Sequence, residues 1–402
     1  MMDRAQYDRF IAEEAPAEDD VVCEFMLSPA DGATFEQAAA AVAAAAGTVR
    51  GADVHPAVTR VDADDDRISV VYPPELLEYS NLSQILAAIA GNVYDTVEAE
   101  RLRLLDVTFP ATVRERFSGP QLGGDAVKQR IGAGDRPLLA ATLPGMGSTD
   151  AYADAAYDAW RGGMDLVVDP AVLTSLPSTR FDDRVEACVA ARDAAVDDTG
   201  EEKLYVPNIT APVAEMKRRA DLVADHGGSA VAVTAVTAGW AAVQELRQYL
   251  AGRDIGIHAH AAQHAAVTRP GRHGIAMPPL ATFARLAGVD TFPASTRGRP
   301  GGTAETVADV LRRDWPPLDA ALPVVTGGVQ PGMLPAVVDR MGTGIMVQAG
   351  RGIHAHPGGV AAGAEAFRAA ADAVGAHKTL DEKAEEVEPL QTALDTWSRE
   401  PV

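Results

Sequence analysis

Short apolar runs alternate with helix-like stretches along the chain from residue 138 onward. Eight of these runs have the length and composition of buried strands: LLAATL (138–143), DLVVD (165–169), KLYVPNIT (203–210), AVAVTAV (230–236), DIGIHAHA (254–261), DTFPAST (290–296), LPVVTGG (322–328) and GIMVQAG (344–350). Eight strands alternating with helices over this length are the pattern of a (β/α)₈ TIM barrel. A doubly wound open sheet would need a glycine-rich nucleotide turn after its first strand, and LPGMGSTD (143–150) resembles one only poorly. The pattern favours the barrel.

The N-terminal part of the chain has a different pattern. A strand, a helix, a strand-like segment, a helix and a strand are predicted at 21–29, 33–46, 59–73, 81–94 and 102–110. Because the third segment is long enough for two strands, the order is β-α-β-β-α-β, which is typical of a ferredoxin-like α+β domain. We therefore expect an α/β protein with this domain at 1–120, a TIM barrel at 121–376, and a charged C-terminal segment at 377–402 that forms a peripheral helix or a mobile tail.

Composition excludes several classes of protein. A chain of 402 residues is long enough for two domains, as the pattern indicates. It has no run of eighteen apolar residues and its first residues are charged, so we expect a cytoplasmic protein with no membrane partner. The two cysteines, Cys23 and Cys188, match no metal-binding spacing and predict neither a disulfide framework nor a thiolate zinc site.

The charge is strongly acidic. Acidic residues number 57 against 35 basic ones, for a net charge of -22, and no basic patch is visible that could neutralise the phosphates of a nucleic acid. Only five of the basic residues are lysines. A dispersed acidic, lysine-poor surface predicts a halophilic cytosol; an ordinary acidic protein from a genome of high GC content is the alternative.

Two glycine-rich segments follow the seventh and eighth predicted strands. In a barrel, the functional site lies at the C-terminal ends of the strands, and the loops after strands seven and eight commonly bind phosphate. Thr326, Gly327 and Gly328 follow one strand, and Gly350, Arg351 and Gly352 follow the other. Backbone amides, a hydroxyl and a guanidinium together suit a phosphate. The alternative is that these glycines only permit tight turns.

Histidines and an arginine are the other candidates for chemistry. His258 and His260 share one face of the fifth strand. A metal hydrolase would carry such a pair on its first strand, which offers only Thr142, so we predict an acid–base or hydrogen-bonding role for His260 and a core position for His258. Arg299 lies in a glycine-rich loop that could close over an anion. Because no lysine ends a strand, a Schiff-base aldolase is disfavoured.

With these residues in place, the chain resembles the RuBisCO large-chain superfamily along almost its whole length. The segments that carry the resemblance occur in family order: NLSQILAAIAGNVY, LRLLDVTFP, FSGP, RPLLAATL, RGGMDLVVD, DDRVEACVAA, IHAHAAQHAA, HGIAMPPLATFARLAGVD, TGG and QAGRGIHAHPGG. The resemblance implies the same two-domain fold. It also implies a homodimer, or a higher assembly of dimers, with sites at the subunit boundary.

The resemblance carries part of the family's site onto this chain. Residues 326–328 match the family's Ser-Gly-Gly, and residues 350–352 match its three glycines. His260 matches the active-site histidine of strand five, and Arg299 lies near the position of the mobile-loop lysine. Asn92 matches the asparagine that the partner subunit contributes.

The metal-binding part of that site has no counterpart. The family's lysine that becomes carbamylated falls on Val168, and its two acidic magnesium ligands fall on Pro170 and Ala171, whereas Asp169 matches an aspartate that is not a ligand. Other family residues are replaced as well, by Thr142, Leu143, Pro144, Gly145, Ala261, Pro293, Ala43 and Val49. We therefore expect a RuBisCO-like protein that has lost the magnesium site, uses no cofactor and is no carboxylase.

The leading hypothesis is a metal-independent isomerase or enolase-type enzyme acting on a small phosphorylated sugar. In it, Thr326, Gly327, Gly328, Gly350, Arg351 and Gly352 bind the phosphate, His260 transfers the proton, and Arg299 offsets charge on the enolate. A catalytically inactive sugar-phosphate-binding or regulatory protein is the second hypothesis. Ribulose-bisphosphate carboxylase, as family similarity alone suggests, is the third.

Overall fold

The N-terminal domain is an antiparallel sheet with connecting helices. In this computed structural model, the described residues are 9–12, 14–47, 54–145, 147–296, 304–397 and 399. The elements of the domain are β1 (Val21–Pro29), α1 (Phe35–Ala46), β2 (Ala57–Asp62), β3 (Arg67–Tyr72), α2 (Leu82–Ala90), β4 (Ala99–Thr108) and the short α3 (Ala111–Arg114). The strand order β4-β1-β3-β2 confirms the predicted ferredoxin-like domain.

The helix α1 shows how the sequence sets an element boundary. Thr34 accepts a hydrogen bond from the Gln37 amide, and the Gln37 side chain accepts one from the Thr34 amide, which is a complete capping box. The alanines of the helix then pack against the sheet together with Val42, because small side chains allow close approach of the helix to the strands.

The second part of the chain is a nearly closed barrel of eight parallel strands. Its strands are β5 (Leu138–Thr142), β6 (Leu166–Val168), β7 (Leu204–Val206), β8 (Ala230–Thr234), β9 (Gly256–His260), β11 (Thr291–Thr296), β12 (Leu322–Thr326) and β13 (Met346–Ala349). They are ordered β7-β6-β5-β13-β12-β11-β9-β8, and a parallel bridge between Asn208 and Ala232 joins the two ends. The predicted TIM barrel is confirmed, and every predicted strand overlaps an observed one.

Helices surround the barrel. They are α4 (Gly123–Ile131), α5 (Thr149–Arg161), α6 (Phe181–Thr199), α7 (Val213–Asp225), α8 (Ala235–Ala238), α9 (Trp240–Tyr249), α10 (Ala265–Thr268), α11 (Met277–Ala287), α12 (Ala304–Arg312), α13 (Leu334–Met341), α14 (Arg351–His354) and α15 (Gly359–Gly375). In the described part of the chain, no helix has the length and apolar character needed to cross a bilayer.

The N-terminal end of the barrel is closed by α4. Val127 and Ile131 of this helix belong to the apolar cluster that fills the barrel interior. The buried Asp290 carboxylate accepts hydrogen bonds from the Leu122 amide (2.6 Å) at the start of α4 and from the Ile257 amide (2.7 Å) of β9. The N-terminal end of the barrel is therefore covered by a helix, and we look for a site at the C-terminal ends of the strands.

A short strand that the sequence did not predict ties the barrel to the N-terminal sheet. The strand β10 (Gly274–Ile275) lies in the connection after β9 and pairs in parallel with β4. Buried Arg103 of β4 donates to the carbonyl oxygens of Thr268 (3.0 Å) and Pro270 in the same connection. The segment that follows His260 is thus held by the N-terminal domain.

The C-terminal segment contains two short helices, α16 (Leu380–Ala384) and α17 (Glu388–Thr396). Leu390 is fully buried, and the His356 Nε2–H donates to the Pro389 carbonyl at 3.0 Å. For the described residues, the peripheral-helix alternative is therefore the one observed. The domain boundaries proposed from the sequence remain predictions.

Candidate active site at the barrel mouth

The predicted site residues lie on two parts of the fold. His260 ends β9, Thr326 ends β12 and Gly350 follows β13, and the C-terminal ends of parallel barrel strands open at the same mouth. Asn92 is exposed on a single 3₁₀ turn (Asn92–Asp95) of the N-terminal domain. Arg299 lies outside the described residues.

The two glycine-rich loops have the backbone of an anion cradle. Gly327 and Gly328 have φ angles of +91° and +92°, a region in which side chains are strained. Within the described part of the chain, the amides of Gly328 and Gly350 donate no hydrogen bond to another main-chain group. Arg351 is exposed beside them at the start of α14. Unused amides next to a guanidinium suit an anionic group.

Gly352 has a packing role. A Cβ at this position would lie 2.8 Å from the Val329 carbonyl oxygen and 2.7 Å from Gln330 Oε1, both in the loop after β12. The absence of a side chain therefore lets the two loops approach each other. This contact supports the cradle indirectly, because it sets the spacing between the loops.

His260 is a buried imidazole at the mouth. Its Nε2 lies 2.8 Å from the main-chain oxygen of Asp169, and the side chain keeps 8% exposure. Burial lowers the pKa of His260 to about 4. The ring is therefore neutral near pH 7 and can accept a proton.

His258 lies one layer deeper and confirms the predicted core position. It is 4% exposed, its Nδ1 lies 2.7 Å from Thr291 Oγ1, and its ring centroid is 5.0 Å from that of His260. Burial lowers the pKa of His258 well below its usual value. The two imidazoles are therefore both neutral and do not repel each other.

The lowered pKa of His260 predicts a pH dependence of stability. Its pKa of about 4 in the folded chain is below the usual 6.5, so an unfolded chain takes up this proton first as the pH falls. The free energy of unfolding should lose about 3 kcal/mol from this group as the pH falls from about 6.5 to about 4. Urea titrations at several pH values across this range give the free energy of unfolding, which should fall more steeply with falling pH in the wild type than in His260→Gln. The same pH dependence in both proteins would contradict the burial of a neutral imidazole.

The end of β6 carries the three positions at which the resemblance places the carbamylated lysine and the magnesium ligands. Val168 is fully buried in the apolar cluster of the barrel interior, with Leu166, Val206 and Met346. Pro170 and Ala171, at the positions of the family's acidic ligands, have side chains that cannot bind a metal.

Asp169 is the one acidic residue at this strand end, and its carboxylate is fully used. One oxygen accepts from the hydroxyls of Tyr152 and Tyr205, each at 2.9 Å. The other accepts from Arg184 Nε at 3.1 Å and from the Asn208 amide at 3.0 Å. Both Asp169 and Arg184 have side chains with 0% exposure. The carboxylate therefore anchors the surrounding helices and is not available to a ligand in the mouth.

Neighbouring polar side chains at the mouth are also paired. The Asn208 side-chain amide donates to the carbonyl oxygens of Pro170 (3.1 Å) and Ala171 (3.0 Å). Gln348 Nε2 donates to Thr142 Oγ1 at 2.7 Å.

The residues at these positions do not fit a carbamate-bound magnesium. Building the carbamate needs a lysine amine, and holding the metal needs carboxylates, and the family's three positions are Val168, Pro170 and Ala171. Nor is there, among the described residues, a group of three or more His, Cys, Asp or Glu side chains arranged to hold a metal ion.

Comparison with known proteins identifies the family. Residues 125–397 match the model of the ribulose bisphosphate carboxylase large chain, catalytic domain, and residues 10–113 match that of its N-terminal domain. The chain belongs to the ribulose bisphosphate carboxylase large-chain family. The family membership predicted from the sequence is thereby confirmed.

Several similar proteins come from archaea. Ribulose bisphosphate carboxylase of Pyrococcus abyssi is 41% identical over 334 residues, which cover 82% of this chain and 79% of that protein. The Archaeoglobus fulgidus protein of the same name is 36% identical over 421 aligned positions, 96% of each chain. Octameric Rubisco from Pyrococcus horikoshii superposes with a TM-score of 0.92 at 36% identity, covering 97% of this chain and 98% of the other. Dimeric archaeal Rubisco from Hyperthermus butylicus superposes with a TM-score of 0.91 at 35% sequence identity, covering 97% of this chain and 99% of the other.

The sequence did not reveal the Asp169 cluster. Its partners Tyr152, Arg184, Tyr205 and Asn208 come from α5, α6, β7 and the loop after β7. A weak signal was present, since Arg184 lies in the first turns of the helix that follows Asp169-Pro170. Only the fold shows that three side chains and the Asn208 main-chain amide meet at Asp169.

Proposed function

We propose that this chain is a metal-independent isomerase or enolase-type enzyme that moves a proton on a small phosphorylated sugar. The observation that carries the proposal is the end of β6. Val168, Pro170 and Ala171 cannot form the magnesium site, while His260 remains at the mouth as a neutral imidazole with lowered pKa. Proton abstraction next to a carbonyl needs a base and stabilisation of the enolate, and both can come from side chains.

The phosphate binds, in this proposal, at the loops after β12 and β13. Residues 326–328 and 350–352 lie at the C-terminal ends of β12 and β13, two neighbouring strands that pair in parallel. The amides of Gly328 and Gly350, which donate no main-chain hydrogen bond among the described residues, and the exposed Arg351 guanidinium support this placement. The phosphate fixes one end of the sugar, so that its carbonyl and the adjacent carbon can lie towards His260.

Two further residues complete the proposed site. Arg299 would offset the negative charge that develops on the enolate, in the place where a metal ion would otherwise do so. Asn92 would reach the site of a second copy of the chain. A homodimer, or an assembly of dimers, agrees with the dimeric and octameric archaeal Rubiscos that share this fold.

Carboxylation of ribulose bisphosphate is the second candidate. It is favoured by the names of the relatives and by identities of 34–41%. The end of β6 opposes it, because carboxylation in this family depends on a metal bound to a carbamylated lysine. The two candidates predict opposite responses to Mg²⁺ and bicarbonate.

Titration calorimetry tests the proposal. Ribulose bisphosphate and singly phosphorylated pentoses are added to the protein with and without Mg²⁺ and bicarbonate. We expect binding that does not depend on either addition. Binding that appears only with Mg²⁺ and bicarbonate would favour the carboxylase. Tight binding without any proton exchange into the sugar would favour an inactive binding or regulatory protein.

Arg351→Ala should weaken the binding of a sugar phosphate about tenfold, since a charge-assisted hydrogen bond contributes on the order of 1–2 kcal/mol. Arg340→Ala is a matched control, because Arg340 is an exposed arginine at the far end of α13. Calorimetry with each variant measures the effect. Equal affinities for both variants would remove Arg351 from the cradle.

The charge of the chain supports an additional proposal, that it is adapted to a halophilic cytosol. The net charge of -22 and the five lysines are its basis. Binding and activity are therefore best measured in concentrated potassium chloride.

A further inference from the structure

A main-chain oxygen determines which nitrogen of His260 carries the proton. The Nε2 of His260 lies 2.8 Å from the carbonyl oxygen of Asp169. A carbonyl oxygen only accepts hydrogen bonds, so Nε2 must be the protonated nitrogen. Within the described part of the chain, His260 Nδ1 has no hydrogen-bond partner. In a neutral ring, Nδ1 is then the nitrogen with a free lone pair.

The Asp169 carbonyl, which determines the tautomer of His260, belongs to a residue held by several hydrogen bonds. The Asp169 amide donates to the Val206 carbonyl oxygen at 3.1 Å, which fixes the residue in the barrel sheet. Its carboxylate accepts from Tyr152, Tyr205, Arg184 and the Asn208 amide, as described above. The peptide unit after Asp169 cannot donate, because the next residue is Pro170. The oxygen therefore has little freedom to turn away from His260.

We infer that His260 acts as a neutral Nε2–H imidazole whose Nδ1 is the proton acceptor, and that the buried Asp169–Arg184–Tyr152–Tyr205 cluster is a positioning device for that ring. The inference on the acceptor role rests on the proposed function, whereas the protonation pattern of the free protein does not. The strand end that would carry metal ligands in the family thus serves to orient the base.

The charges around the ring agree with this assignment. Burial lowers the pKa of His260, and the Asp169 carbonyl only partly offsets the effect. The His258 ring lies 5.0 Å from that of His260, and burial lowers the pKa of His258 as well. The Asp169 carboxylate is paired with Arg184 and does not bond to the ring. Among the described residues, no acidic side chain bonds to the ring and stabilises it as an imidazolium.

The proton step balances without a cofactor. The C–H bond next to the sugar carbonyl breaks, an N–H bond forms at Nδ1, and the electron pair moves to the carbonyl oxygen to give an enolate. Returning a proton from Nδ1 to the same carbon regenerates the neutral ring and the starting sugar. Returning it to the former carbonyl carbon gives the isomer, provided that the hydroxyl proton on the first carbon moves to the enolate oxygen, so that the new carbonyl forms there. Solvent exchange of the Nδ1 proton in between labels the sugar.

Nitrogen NMR of protein labelled with ¹⁵N-histidine reads the protonation pattern directly. The chain has nine histidines, and the His260 signals are those lost in His260→Gln. We expect a neutral ring protonated at Nε2 near pH 7, without any ligand. A ring protonated at Nδ1, or at both nitrogens, would overturn the inference. If His260 is protonated at Nε2 but no sugar exchanges a proton, the proposed function is contradicted and the protonation pattern of His260 still stands.

Tyrosine variants test the positioning role. Tyr205→Phe and Tyr152→Phe each remove one donor to Asp169, and each should admit a fraction of the Nδ1–H form and slow proton exchange on the order of tenfold. Tyr157→Phe is the matched control, because Tyr157 also donates to an aspartate, Asp198, but at the surface. A structural role alone would change stability and leave the NMR pattern of His260 as it is, which would overturn the positioning role.

Discussion

His260→Gln should slow proton exchange between solvent and a bound sugar phosphate on the order of a thousandfold, the usual effect of removing a general base. Glutamine is chosen because its side-chain amide can still donate to the Asp169 oxygen that His260 now bonds at 2.8 Å. The variant therefore removes the base and keeps the packing of the mouth. Exchange is followed as deuterium incorporated into the sugar.

Sugar-phosphate affinity and a control variant separate loss of the base from loss of binding. The affinity for the sugar phosphate should change little, because the glycine loops are untouched. His354→Gln, at an exposed histidine beyond the eighth barrel strand, should exchange at the wild-type rate. Wild-type exchange by His260→Gln would show that another group is the base.

Arg184→Met should lower the free energy of unfolding by about 3–5 kcal/mol, because it leaves the Asp169 carboxylate buried without its counter-charge. Both side chains of this pair have 0% exposure. Arg184 also donates to the carbonyl oxygens of Thr179 (2.8 Å) and Thr174 (2.7 Å) in the loop after β6. Urea unfolding followed by circular dichroism measures the loss.

The matched control lies on the same helix. Arg192 pairs with Asp193, whose side chain is 61% exposed. Arg192→Met should therefore cost less than about 1 kcal/mol, as is usual for surface pairs. A similar cost for both variants would mean that the buried pair has no special role in the fold.

The fold was largely predictable from the sequence, since strand periodicity and helix spacing are local properties. The eight barrel strands were predicted within a few residues, and the N-terminal strands followed the ferredoxin-like order. The strand β10 was missed because it has only two residues, Gly274 and Ile275, and forms by pairing with β4, far away in the chain. Such pairing leaves no periodic pattern.

The site was predictable only in part. The glycines after β12 and β13 and His260 of β9 lie at the C-terminal ends of strands, where position alone indicates a role. The function of Asp169 was not visible, because its partners are spread from Tyr152 to Asn208 and meet only when the helices pack on the barrel. The carboxylate of Asp169, which the sequence places at a strand end, is therefore used by its protein partners and not offered to a ligand.

Proton exchange measured with and without a metal distinguishes a metal-independent enzyme from a carboxylase. Wild-type protein is incubated in deuterated buffer with ribulose bisphosphate and with singly phosphorylated pentoses, once with EDTA and once with Mg²⁺ and bicarbonate. We expect at least one of these sugars to incorporate deuterium at the same rate under both conditions, and no carbon to be fixed. Exchange that requires Mg²⁺ and bicarbonate, together with carbon fixation, would contradict it.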